Sequence, residues 1–397
     1  MDMENKIYIS RVHLKGYKSI RDTEVGFMSG LNIIIGPNGS GKTNFLAFLK
    51  NAIRRDFLEI GNFEVQIETT IGEGYYWKKV KKGDKVLIEA KGKKMLSNQI
   101  NSKLLVEGKV LINKEVIDSV NITIEEGKAF TIVYSKDFYS HFSLCTFIEH
   151  SYPSNMLSIT EPARIEFDIE EGRLLNVNAQ FDFKRDYYFV HLFQQRFAIE
   201  LDEPKDIVAI NPKIVDALKK YTIIEDIRLN TPHFIVFERA GSNQEISHFT
   251  IENILTEFKV NGKWLKWHEL SDGTKRMFYL ISKITYETMP VNCELILVEE
   301  PELGVHPNQL SRLMDFLREQ SREKQIIITT HSPQVLNELG ADELNRVVVT
   351  RYEGERGTQM YHLSEEEKGF AKGYMENGAF LSDYWVQSGF MNEEEIV

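Results

Sequence analysis

The sequence predicts an α/β fold in which a mainly parallel sheet is joined to an antiparallel, β-rich part and a mixed helical insertion. Three observations predict it. A short apolar run, LNIII at residues 31–35, is followed at once by a glycine-rich turn and a helical pattern. The last third of the chain alternates apolar runs with amphipathic stretches, and such runs mark strands buried on both faces of a parallel sheet. Between these lies a region of alternating strands broken by Gly-Glu-Gly and Lys-Gly-Asp turns, the pattern of antiparallel hairpins.

In chain order, residues 7–14 (IYISRVHL) and 23–27 read as strands ahead of LNIII. After the turn, Phe45, Leu49, Ala52 and Ile53 recur at helical spacing, and Arg54 and Arg55 suit the negative end of a helix dipole. VQIETTI, YYWKKV and KVLIEA make residues 60–185 β-rich, with a further hairpin over 163–183 and no clear period over 95–160. Residues 212–221 read as a helix and 232–238 as a strand. Then ELILVEE (294–300), QIIITTH (325–331) and RVVVTRY (346–352) read as buried strands, with an amphipathic helix over 308–321. The acidic end MNEEEIV reads as loose. The expected organisation is a core made from 1–60 and 221–363, an insertion over 61–220, and an extension over 364–397.

Composition removes several classes. Of 397 residues, 42% are hydrophobic, which suits a sizeable core and not a disordered chain. The two cysteines, Cys145 and Cys293, stand too far apart in sequence to suggest a disulfide framework or a zinc cluster. MDMENKIYIS lacks the basic start and apolar run of an export signal. No apolar stretch approaches the roughly 20 residues of a membrane span, so a cytoplasmic protein with no membrane partner is expected. A net charge of −11 argues against a globally basic nucleic-acid coat.

The strongest chemical signal is GPNGSGKT: Gly36, Pro37, Asn38, Gly39, Ser40, Gly41, Lys42 and Thr43. It follows a strand and opens a helix, the context a phosphate-binding P-loop needs. Glycines let backbone N–H groups wrap a phosphate, and the helix start adds partial positive charge. Lys42 is expected to reach the β- and γ-phosphates of ATP, and Thr43 to hold Mg²⁺. A nucleotide site also needs a metal-side carboxylate. The strand ending in Glu299 and Glu300 fits, with Glu299 facing Mg²⁺ and Glu300 orienting or deprotonating the attacking water. His331, at the next strand end, is placed to donate to a γ-phosphate. Ser271 reads as the cap of a helix over KRMFYLISKITYE, with the Gly273 amide near its positive end.

In order, these pieces resemble the ABC-type ATPase superfamily: Walker A at 36–43, signature at 270–274, Walker B at 295–300 and switch histidine His331. The likeness is to the RecF, SMC and OLD-like branch, because the start VHLKGYKSIRDTEVGF, the signature LSDGTKR and the run EEPELGVHP match it. LSDYWVQSGF at 381–390 resembles a C-terminal element of stand-alone bacterial ATPases of this group. The resemblance implies a Mg²⁺-dependent ATPase head that sandwiches ATP in a homodimer or higher homo-oligomer. Ser271 and Gly273 of one copy would then complete the partner's P-loop site. It also implies a separately encoded effector, a nuclease or toxin, in anti-phage defence. DNA repair or chromosome maintenance is the alternative, and a transporter subunit a weaker one. Two departures are visible. Glu299 stands where many members have Asp, and the family's glutamine between Walker A and the signature is not placed, with Gln180, Gln194 and Gln195 as candidates.

Two further patterns bear on the purpose of ATP use. No DxD pair occurs in the chain, so a Toprim nuclease domain is not expected, and Asp84 with Glu89-x-Lys91 or Asp168 with Asp182-x-Lys184 reads better as charged hairpin positions. Residues 77–94 hold eight lysines, the first Lys78 and the last Lys94, against two acids. That stretch fits either a DNA or RNA backbone contact or a solvated hairpin whose lysines protect a strand edge.

Overall fold

The computed structural model describes residues 8–54, 61–70, 74–82, 85–92, 119–125, 143–147, 163–170, 173–179, 190–192, 208–210, 212–230, 233–237, 246–285 and 294–388. They fall into two compact units. The first takes in Met1–Ile148, Thr288–Glu302 and Leu317–Val397, and the second Glu149–Glu287 and Leu303–Phe316.

The first unit holds the predicted parallel sheet. Its strand order is Thr358–His362, Val347–Tyr352, Leu31–Ile35, Gln325–Thr330, Glu294–Glu299 and Ser143–Phe147. All neighbours are parallel except the hairpin formed by the first two. LNIII is buried at every position, as is QIIITT, which is why neither alternates in sequence. Helix Lys42–Arg54 lies between this sheet and a second one. Phe45, Leu46, Phe48 and Leu49 share one core with Ile34, Leu297 and Ile327 of the parallel sheet and with Val12, Leu14 and Val65 of the other. Phe48 touches Tyr17 at 4.8 Å and Phe63 at 5.1 Å between ring centroids. Truncating such a ring to Ala costs about 3–5 kcal/mol.

The second sheet of this unit is antiparallel, in the order Ile20–Gly26, Ile9–Tyr17, Phe63–Thr69, Gly74–Lys82, Lys85–Gly92 and Ser119–Glu125. Phe63–Thr69 alternates buried and less buried positions, as a strand with one covered face must. The two lysine-bearing strands, Gly74–Lys82 and Lys85–Gly92, each have a neighbour on both sides. Edge protection therefore does not account for their lysines. Side chains join the two sheets. The Gln325 amide accepts from Ile9 N at 2.9 Å and donates to Ile9 O at 2.9 Å and Met28 O at 3.2 Å, so a buried polar group is satisfied by strand-end backbone. The ring nitrogens of His362 face Val347 O at 3.1 Å and Gly26 O at 2.9 Å.

At the C-terminal side, Ser364 and Glu367 form a reciprocal capping box on helix Glu365–Glu376. Helix Leu381–Ser388 follows, and Ser382 N donates to Asn337 at 2.8 Å. Among the described residues no helix is long and apolar enough to cross a membrane.

The second unit contains a four-stranded antiparallel sheet, in the order Arg173–Ala179, Ala163–Glu170, Ile246–Ile254 and His233–Phe237, and a three-stranded one of Ile224–Leu229, Thr256–Val260 and Lys263–Leu265. Helices Pro212–Tyr221 and Asp272–Thr285 accompany them. Phe258, Trp267 and Phe278 pack edge to face or tilted, with centroids 5.1–5.9 Å apart. Gln180, Gln194, Gln195, Asp84, Asp182, Lys184, Lys93, Lys94, Cys293 and the tail MNEEEIV lie outside the described residues.

Candidate nucleotide-binding site

The P-loop conformation follows from its glycines. Gly39 and Gly41 have φ of +80° and +103°, a region that side chains rarely adopt. A Cβ on Gly41 would overlap the Thr358 side chain, and one on Gly36 would overlap Thr350 O. Behind the loop, Asn44 donates to the Ser19 hydroxyl at 2.9 Å and Thr358 donates to it at 2.8 Å. Ser19, from the N-terminal strands, and Thr358, from the opposite end of the sequence, thus brace the first helical turn through Asn44. Spacing along the chain carries no trace of them. Pro37, Asn38 and Gly39 remain exposed, while Ser40 is buried and its hydroxyl has no hydrogen-bond partner among the described residues.

Lys42 is 6% exposed and donates to Gly36 O at 2.7 Å and Pro37 O at 2.9 Å. Burial lowers its pKa, opposed by the charges of Glu300, Glu302 and Glu299. The Thr43 hydroxyl donates to a carboxylate oxygen of Glu299, which is itself 4% exposed. Glu299 ends its strand one position before the chain turns sharply: Glu300 has φ +45° and its N–H donates to Thr329 O at 2.8 Å. A non-glycine residue held in that region is strain kept where geometry matters. His331 Nδ1 lies 2.9 Å from Glu300 Oε1. Lys42, Thr43, Glu299, Glu300 and His331 thus converge at the C-terminal edge of the parallel sheet, where ligands bind in α/β folds.

Glu302 joins the same group and received no role from the sequence, although it stands in the EEPE run. Its Oε1 accepts from the Thr330 hydroxyl at 2.5 Å. Burial raises its pKa, and the nearby charge of Glu300 adds to that.

Ser271 and Gly273 lie in the second unit. Ser271 Oγ accepts from Thr274 N at 3.2 Å, so it caps helix Asp272–Thr285. Gly273 is buried, and a Cβ there would overlap Gly304 O, so the helix start is held against the 303–306 segment.

Fold and site together define an ABC-type ATPase head of the RecF, SMC and OLD-like branch. The chain belongs to the family described as "AAA domain, putative AbiEii toxin, Type IV TA system", matched over residues 54–337. It is 22% identical to Endonuclease GajA of Bacillus cereus over 362 residues, covering 85% of this chain and 58% of GajA. It is 34% identical to the DNA replication and repair protein RecF of Cytophaga hutchinsonii over 71 residues, 18% of each chain. A solved Smc head domain from Pyrococcus furiosus, bound to the C-terminal domain of ScpA, overlays with a TM-score of 0.46 and 13% identity, covering 93% of this chain and all of that one. The chain spans 58% or less of the length of these curated relatives.

Proposed function

We propose that this chain binds ATP with Mg²⁺ at the P-loop and hydrolyses it in an assembly of at least two copies. The observation that carries the reading is the convergence of Lys42, the Thr43–Glu299 pair and the Glu300–His331 pair on one sheet edge. The residues fit the ligand. The glycine positions exclude Cβ atoms, the Ser40 hydroxyl is buried and unpartnered among the described residues, and a buried ammonium faces three carboxylates. ATP supplies the phosphoanhydride bond to be broken, and Mg²⁺ the counter-charge on its phosphates. Backbone N–H groups of the 36–43 loop bind and orient the phosphates. Lys42 exchanges its carbonyl partners for phosphate oxygens. Thr43 and Glu299 hold the metal side. Glu300 takes the proton of the attacking water at a carboxylate oxygen, and His331 donates toward the γ-phosphate.

Ser271 and Gly273 act on a second copy's nucleotide in this reading. A mixing experiment tests it. Lys42→Ala and Ser271→Arg are each inactive alone in an ATP-sandwich, but mixed copies form one intact composite site and regain turnover. If mixing restores nothing while both variants still associate with wild type, the composite site is wrong.

The same proposal makes the chain the gating partner of a separate nuclease or toxin in anti-phage defence. Its support is the family description, which names a toxin, and the likeness to a relative named an endonuclease. Affinity capture with the products of neighbouring genes, with and without ATP, tests it. A neighbour that binds neither state argues against gating.

A second reading, direct action on DNA, is favoured by the interior placement of strands Gly74–Lys82 and Lys85–Gly92, which leaves their lysines unexplained as edge protection. It expects DNA-stimulated hydrolysis without a partner, and binding that weakens steeply with salt.

A further inference from the structure

We propose that Glu302 is a positioning residue: by clamping the turn that carries His331, it sets that ring against the Glu300 carboxylate. The activity arm of this inference rests on the ATPase reading above.

The geometry is specific. Thr330 is fully buried, and its hydroxyl donates to Glu302 Oε1 at 2.5 Å. The same hydroxyl oxygen accepts the Ser332 N–H at 2.9 Å. The residues on either side of His331 are therefore tied to each other, and Thr330 ties both to the Glu302 carboxylate. Its Nδ1 lies 2.9 Å from Glu300 Oε1 but 4.0 Å from Glu302 Oε1, so the ring bonds to the first and not to the second. The other half of the pair is fixed independently, through the φ of +45° at Glu300 and its backbone bond to Thr329. The Thr330 hydroxyl has a second, longer acceptor in Ser332 O at 3.3 Å, and Glu302, at 2.5 Å, is the nearer one, which ties this turn to the 299–302 segment. A solvated surface acid does not account for this residue. The Glu302 side chain is 10% exposed, and its Oε2 is buried with no partner among the described residues. Keeping a carboxyl there with one oxygen unpartnered costs stability, so folding alone does not explain its place.

The test compares wild type with Glu302→Ala, Glu302→Gln, His331→Ala and the Glu302→Ala/His331→Ala double variant. ATP turnover is measured alongside ¹⁵N-histidine NMR, with the His331 ring signal assigned by its loss in His331→Ala. Glu302→Ala should lower kcat about tenfold or more with KM for ATP within about twofold, the pattern of a group felt only in the transition state. Glu302→Gln keeps an Oε1 acceptor for Thr330 and should recover kcat to within about threefold of wild type. The double variant should be no slower than His331→Ala, because residues acting through one another are not additive. The His331 ring signal should move in Glu302→Ala and stay in place in Glu302→Gln. Multiplicative losses, a Gln variant as slow as the Ala variant, or an unmoved ring signal would overturn the inference. If wild type turns over no ATP at all, the ATPase reading fails, and the ring signal alone still decides whether Glu302 places His331.

Discussion

Thr43 and Glu299 stand 256 positions apart in the chain and share a hydrogen bond, hydroxyl to carboxylate. Neighbouring sheet strands make this possible. Leu31–Ile35 delivers the P-loop, Glu294–Glu299 delivers the carboxylate, and Gln325–Thr330 lies between them, in register with both. One metal ion between these side chains would be held by parts of the chain that sequence proximity never joins. Glu299→Gln keeps the volume and removes the charge. It should weaken Mg²⁺-dependent ATP binding by at least about tenfold, or about 1.4 kcal/mol, while leaving binding in EDTA unchanged. Calorimetry with and without Mg²⁺ checks this, and an equal loss under both conditions would remove Glu299 from the metal side.

Lys42 should link nucleotide binding to protons. Burial lowers its pKa below the ordinary 10.5. Between the lowered value and 10.5, the unfolded chain carries a proton that the folded one has released, so this group's contribution to stability rises with pH in that window. Phosphate oxygens favour the ammonium, so ATP binding there should take up a proton. Binding heats that vary with the ionisation heat of the buffer would show it, and identical heats would contradict it. Lys42→Ala should abolish binding or turnover.

Glu302 shifts the other way. Its carboxyl is raised above 4.5 by burial first and by Glu300 after that. The unfolded chain releases this proton at lower pH than the folded one, so the group costs stability as pH rises from 4.5 through the raised value, and the full cost remains above it. Glu302→Gln should therefore be more stable than wild type at neutral pH, with the gain fading in acid. Urea midpoints measured across that range decide it.

Gly41 is doubly constrained, by its φ of +103° and by Thr358 packed against it. Gly41→Ala should destabilise the fold by about 1–3 kcal/mol and weaken ATP binding. Adding Thr358→Ala should recover part of the stability, because it removes the Oγ1 and Cγ2 overlaps but leaves the Cβ contact and the backbone strain. Full recovery would mean that neither φ nor the remaining Cβ contact costs anything there.

Gln325→Leu should cost about 1–3 kcal/mol, since the buried Ile9 N–H loses its acceptor and Ile9 O loses the amide donor, while Met28 O keeps Asn32. Denaturant unfolding monitored by fluorescence measures it.

The P-loop, the four buried strands of the last third and of LNIII, and the helices at 212–221 and 307–320 were legible because local signals specify them. GPNGSGKT is contiguous, and a strand covered on both faces must be apolar throughout. The same holds for Ser271, whose capping bond to Thr274 N spans three positions. Strand Thr358–His362 is short and carries no turn signal strong enough to name it, whereas Thr256–Val260 is followed by Asn261-Gly262, with φ of +50° and +75°, a two-residue hairpin signal that makes it legible in the sequence.

By itself, then, the sequence determined that a phosphate-binding loop sits between a buried strand and a helix, with a carboxylate-ended strand and a histidine-ended strand further on. Tertiary structure decided which of those ends meet. It put Thr43 on Glu299, set Thr358 and Ser19 behind Gly41 and Asn44, turned Glu300 into a left-handed backbone facing His331, and tied Glu302 to Thr330. The physical reason is that such contacts come from sheet order and register. Both are set by burial of whole faces, and neither leaves a period or a motif in the chain.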